Sequence, residues 1–86
     1  MEKPPVKLIV LVTQQRLVSQ IEEIGADIGQ PDCRLTAPFI VEDNNTLSPW
    51  LVESTNQSIF MLSSDKILTL VDPNPTLLEK YQDLLK

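Results

Sequence analysis

Ser58-Ile-Phe-Met-Leu-Ser-Ser-Asp-Lys-Ile-Leu-Thr-Leu-Val-Asp72 is the stretch on which the fold turns. It carries two short apolar runs, Ile59–Leu62 and Ile67–Val71, separated by Ser63-Ser64-Asp65-Lys66. Large and β-branched residues at this density, stopped by Asp72-Pro73, predict two paired or sharply bent strands. The four-residue hinge is the charged, hydroxyl-rich break in the most hydrophobic part of the chain.

The chain around this stretch has 86 residues, which gives room for one domain and one core. A chain this short buries only somewhat more than ~60% of its unfolded surface, and small domains often gain stability by oligomerising. Hydrophobic residues make up 42%, enough for a core and a partner face. Seven basic against twelve acidic residues leave a net charge of -5, which argues against a strongly cationic nucleic-acid module.

Cys33 stands alone, so there is no disulfide framework, and a single thiol suits a reducing cytosol. Histidine is absent, and with it the usual general base and the commonest metal ligand. No catalytic residue, metal site or cofactor is therefore expected, and an enzyme is disfavoured. Met1-Glu-Lys-Pro-Pro is polar and rigid, unlike a signal peptide, and no run reaches the ~20 apolar residues that span a bilayer. The expectation is a cytoplasmic protein without a membrane partner.

Upstream, Lys7-Leu-Ile-Val-Leu-Val-Thr13 is apolar on both faces and predicts a central strand. The segment after it reads two ways. Leu17, Ile21, Ile24 and Ile28 have helical spacing over Gln14–Gly25, with Gly25 as a C-cap. Thr13-Gln14-Gln15 also suits a tight turn, with Arg16–Ile24 returning as a strand bulged at Ser19-Gln20.

Gly25–Asp32 is a loop, and Arg34–Glu42 is a strand that Pro38 confines to an edge or a bulge. Asp43–Thr46 is a turn, Trp50–Ser54 a short strand and Thr55–Gln57 a second turn. Turns at this spacing suggest an antiparallel meander or small barrel. The tail is an amphipathic helix capped by Asn74-Pro75 or by a Thr76–Glu79 capping box, with Leu77, Leu78, Tyr81, Leu84 and Leu85 on one face. At about eleven residues it must dock on the barrel or on a neighbouring subunit to persist.

Two segments together resemble the Sm/LSm small-barrel family. Leu11-Val-Thr13-Gln14-Gln15, then Leu17, Ser19, Ile21 and Ile24, follow its first signature; Leu62-Ser63-Ser64-Asp65-Lys66-Ile67-Leu68-Thr69-Leu70 follows its second. More closely, the chain is similar to small Sm-like proteins from marine viruses of cyanobacteria, over nearly its whole length. The resemblance implies a mainly β fold: a five-stranded, strongly bent antiparallel barrel over residues 6–72 with a C-terminal helix over 74–86. It settles Arg16–Ile24 as a bent strand.

It further implies a homo-oligomeric ring of about five to seven copies, with Phe60, Leu62, Leu68 and Leu70 at the interface between subunits. The implied ligand is RNA or single-stranded DNA, held weakly at a pore surface by Lys66 and Arg34, with Ser63, Ser64 and Asp65 hydrogen bonding. The other reading is a structural or adaptor ring that binds a protein and no nucleic acid.

Departures from the family pattern bear on that choice. Ser63-Ser64 stands where an Arg-Gly pair is usual, and the loop Gly25–Cys33 offers Asp27 and Asp32 without asparagine or an aromatic residue. Gln14 and Ser19 replace glycines, and the helix is C-terminal instead of N-terminal. Plain structural roles compete at each candidate: Cys33 as a packing residue, Trp50 as core or interface filler instead of a base-stacking platform, Asp65 as a turn cap, and Lys66 and Arg34 as solvated side chains.

Overall fold

The computed structural model describes residues 4–51 and 54–85. Six strands and one helix follow in chain order: β1 Val6–Leu11, β2 Arg16–Glu23, β3 Cys33–Val41, β4 Leu47–Pro49, β5 Ile59–Leu62, β6 Ile67–Val71 and α1 Pro75–Leu84. All strand pairs are antiparallel, in the order β4-β3-β2-β1-β6, and β5 also pairs with β3. The protein is thus mainly β, with one C-terminal helix. The expected five strands are six, and the sheet does not close: β5 and β6 follow each other across the hinge but are not paired.

Pro38 explains the extra strand. The free edge of β3 pairs with β5 through Cys33–Thr36 and with β4 through Phe39–Val41. Proline has no N–H to give to a ladder, and here it sits at the break between the two partners. Ala37 N–H before it donates to the Ser58 carbonyl, and the Pro38 carbonyl accepts from Trp50 N–H. Pro38 is buried in a strand flanked on both sides and sits in a bulge, one of its two expected places: Val18 faces Phe39 and Gln20 faces Thr36, so Ala37 and Pro38 lie opposite Ser19 alone.

The segment predicted as a strand over Trp50–Ser54 is not one where it is described. The strand lies earlier, at Leu47–Pro49; Trp50, Leu51 and Ser54 are in turns, and residues 52 and 53 fall outside the described set. Leu51 has φ of 59°, a left-handed value no strand accommodates, and its carbonyl accepts from Ser54 and Thr55 N–H. The turn after Val41 is a single 3-10 turn at Asp43–Asn45, with Asn44 and Asn45 at positive φ, which asparagine tolerates.

The ambiguous second segment is a strand, and the β2–β3 register slips opposite its Ser19; the extra residue is in β3, so the bulge expected at Ser19-Gln20 lies on the partner strand at Ala37-Pro38. A bulge there leaves backbone groups without ladder partners. Two hydroxyls take them up. Ser19 Oγ, fully buried, donates toward the carbonyls of Gln20 (2.8 Å) and Thr36 (3.1 Å). Tyr81 Oη accepts from Gln20 N–H (3.2 Å) and lies 3.1 and 2.9 Å from the carbonyls of Thr36 and Ala37, toward which it donates.

Tyr81 comes from α1. Asn74 caps that helix by accepting from Leu77 N–H at 2.8 Å, with Pro75 in the first turn. Leu77 and Tyr81 are buried against Val18 and Val41, with Val6, Leu8, Phe39 and Leu47 around them, and the Phe39 ring meets Tyr81 edge-on at 5.8 Å. The second core lies on the other face: Ile9, Leu11, Leu17, Ile21, Cys33 and Leu35. Alternation along β1 feeds both, as expected for its central place. Leu84 and Leu85, expected on the packed face, are largely exposed because they follow the last buried turn.

Removing only the phenolic oxygen tests this arrangement. Tyr81→Phe leaves Gln20 N–H short of an acceptor in a buried place, and is expected to cost about 1–3 kcal/mol in a denaturant titration. Leu84→Ala, on the exposed side, is expected to change stability by less than about 0.5 kcal/mol.

Candidate functional site

The hinge of the opening stretch forms one 3-10 turn, Ser64–Lys66, between β5 and β6. Lys66 N–H closes the turn on the Ser63 carbonyl at 3.0 Å, and the Lys66 carbonyl accepts from Val12 N–H at 2.8 Å. The second bond ties the hinge to the end of β1, so the turn is held from two sides.

A third tie comes from the loop between β2 and β3. Asp32 accepts twice from one residue: Ser64 N–H on Oδ1 and Ser64 Oγ on Oδ2, each at 2.7 Å. These bonds from the Ser64 hydroxyl and then its amide hold the Asp32 carboxyl below its ordinary value, against a small opposing effect of desolvation. A shallow cleft of about 170 Å³ results, lined by Gly29, Gln30, Asp32, Ser63, Ser64 and Asp65. Gly29 turns the loop with φ of +89°, open to glycine without strain.

The five residues singled out for nucleic acid divide here. Ser63, Ser64, Asp65 and Lys66 are together on the hinge. Lys66 is exposed, and among the described residues its ammonium has no ion-pair or hydrogen-bond partner. Arg34 is elsewhere, in β3, directly opposite Glu22 of β2. Its Nε and Nη2 both donate to Glu22 Oε1, at 2.7 and 2.6 Å. Arg34 is thus already matched by a carboxylate, and Ser64 by Asp32. Sequence reading noted Asp32 in its loop but did not place it at the hinge, since that place depends on how the loop folds back.

Cys33, next to Asp32, is buried at the start of β3 among Ile21 and Leu35. Burial, with the Asp32 and Glu23 charges adding to it, pushes its thiol up, away from the thiolate that nucleophilic chemistry needs.

The interface candidates also divide. Leu68 and Leu70 on β6 are exposed, at 59% and 47%. Phe60 and Leu62 on β5 are half-buried and pack on the core with Ile67 and Trp50. Their neighbours Ile59 and Met61 are the exposed members of β5. β5 is paired on one edge only, with β3, and β6 on one edge only, with β1. A cavity of about 650 Å³ runs beside β6, with Ile21, Cys33, Ile67, Leu68 and Leu70 in its wall. Among the described residues, no helix is long and apolar enough to cross a membrane.

A family model described as a family of unknown function (DUF6561) matches residues 4–86. No curated protein matches the chain.

The Asp32–Ser64 clasp has a definite pH signature. A carboxyl whose pKa is lowered on folding contributes in full above its unfolded value of about 3.9, and that contribution is lost as pH falls through the folded value. The Ser64 amide resonance is expected to hold steady from neutral pH to about pH 5 and to move below about pH 4. In Asp32→Asn that low-pH movement is expected to vanish.

Proposed function

The chain belongs to this family of unknown function (DUF6561), so its role rests on its own surfaces, and we propose that it is an Sm-like module that assembles into a homo-oligomeric ring. The observation that carries the proposal is the pair of apolar edges that β5 and β6 leave open among the described residues; β4, three residues long, also has an open edge. β5 and β6 each keep one edge unpaired and expose apolar side chains, Ile59 and Met61 on one, Leu68, Leu70 and Val71 on the other. Such edges invite pairing with another chain. Because the two edges differ, the contact is head-to-tail, and a head-to-tail contact that closes gives a ring. The resemblance of the second signature to Sm proteins supports the same joining, β5 of one copy to β6 of the next, with the hinge toward the pore.

The ring serves as a structural or adaptor scaffold. Each copy brings Asp32 and Asp65 to the hinge with Lys66 as the nearby cation, and assembly multiplies that imbalance along with the charge of -5. Phosphate contacts of the kind that dominate nucleic-acid affinity are poorly served there. A second reading has Lys66 contacting the backbone of single-stranded RNA or DNA with Ser63 hydrogen bonding beside it. The unpartnered Lys66 ammonium is what favours it.

Light scattering on a size-exclusion column tests the assembly. Wild type is expected at several times the chain mass of 9.7 kDa. Met61→Lys with Leu68→Lys, at exposed positions that leave the core intact, is expected to give a folded monomer. A wild-type monomer at about 100 μM, above the micromolar dissociation constants of weak complexes, would sink the ring proposal. For the second reading, an oligouridylate shift assay at low salt is expected to show little binding. Binding that Lys66→Ala weakens about equally for all sequences, with a flatter salt slope, would move the assignment to nucleic acid.

A further inference from the structure

Beside Pro38 lies a second cleft, of about 330 Å³, that none of the foregoing uses. Trp50 and Phe60 line it as a tilted ring pair, centroids 5.5 Å apart at 47°, with Pro38 and Pro49 beside them. Asn56 and Ser58 stand in the polar part of its wall. Among the described residues, the Trp50 indole N–H and the Asn56 and Ser58 side chains make no hydrogen bond. Among the described residues, none in the wall carries a charge.

The backbone here is held at a cost. Ala37 in the wall has φ of 53°, and Leu51, next to Trp50, has φ of 59°. Neither is a residue that takes the left-handed region freely, and such strain gathers at ligand-binding places when the surrounding fold enforces it.

From this arrangement we propose that the cleft binds a proline-rich peptide segment flanked by basic residues. A cleft lined by aromatic rings and unengaged neutral donors is what a polyproline II ligand uses: its proline rings lie against the aromatic side chains, and donors reach its exposed carbonyls. The small volume suits one or two prolines and not a large cofactor. Charge decides against a polynucleotide. A phosphodiester finds no cation among the described residues of the wall and a molecule of net charge -5 around it, whereas a basic flank is drawn to that same charge. The proposal does not depend on ring assembly.

Trp50 is the chain's one tryptophan, so its fluorescence reports the cleft directly. Wild-type protein is titrated with a capped Pro-Pro-Lys-Pro-Pro-Lys-Pro-Pro peptide, with the same peptide carrying alanine for proline, and with oligouridylate. The proline peptide is expected to shift the emission saturably, and the alanine peptide to bind at least about tenfold more weakly, the loss of one to two kcal/mol of ring contact. Asn56→Ala, at an exposed position, is expected to keep the melting temperature and weaken the proline peptide about three- to tenfold, the worth of one hydrogen bond. Equal binding of the two peptides, no shift with the proline peptide at about 1 mM (the weak limit of specific binding), an unchanged titration in Asn56→Ala, or a shift with oligouridylate in its place would each overturn the proposal.

Discussion

The bend in the sheet rests on one buried phenol. A register slip between β2 and β3, with the extra residue at Ala37-Pro38 of β3, gives the sheet its irregularity, and such a slip strands polar backbone in an apolar place. Tyr81 Oη and Ser19 Oγ between them meet Gln20 N–H and the carbonyls of Gln20, Thr36 and Ala37. Burial raises the Tyr81 pKa, the expected consequence of placing a hydroxyl where its charged form is disfavoured. Since Tyr81 reaches that point only when α1 is docked, helix and bulge depend on each other. The helix covers one face of the sheet and the second core fills the other, which leaves the strand edges and the loops for everything else.

Much of this was legible. The two runs Ile59–Leu62 and Ile67–Val71 are strands at those bounds, because dense β-branched residues with a polar hinge leave few alternatives. Asn74-Pro75 capped the helix as its residue types dictate. Periodicity alone drew Gln14–Gly25 toward a helix; Leu17 and Ile21 do share a core, but as residues four apart on one face of a strand. A spacing of four returns to the same face in a strand and nearly so in a helix, so this ambiguity lay in the physics of the pattern. Trp50–Ser54 misled for a different reason. Its apolar residues serve a turn whose left-handed Leu51 is set by tertiary contacts, which local pattern does not record.

The hinge shows why residue type underdetermines a site. Arg34 and Ser64 have the chemistry to meet phosphate, yet each is matched inside the chain, Arg34 by Glu22 across the β2–β3 ladder and Ser64 by Asp32 from a loop. Glu22 opposite Arg34 is a register fact, readable once β2 and β3 are aligned. Asp32 against Ser64 spans 32 positions of sequence and follows only from the folded loop. An exposed pair such as Arg34–Glu22 contributes at most about 1 kcal/mol, so its weight lies in the charge it cancels more than in stability.

Pro38 connects the two surfaces. By splitting the partner of β3 into β4 and β5, it confines β5 to four residues and opens the space beside Trp50 and Phe60 where a continuous strand would have run. The short β5 then leads through one 3-10 turn into β6, so the two open edges proposed to join copies belong to the thirteen residues from Ile59 to Val71. Phe60 faces the core beside Trp50 while Ile59 and Met61, by strand alternation, face away. One side of β5 therefore shapes the cleft and its other side meets solvent, and a chain that paired with β5 would act on the backbone that positions Phe60. Edge and cleft are coupled through a single short strand.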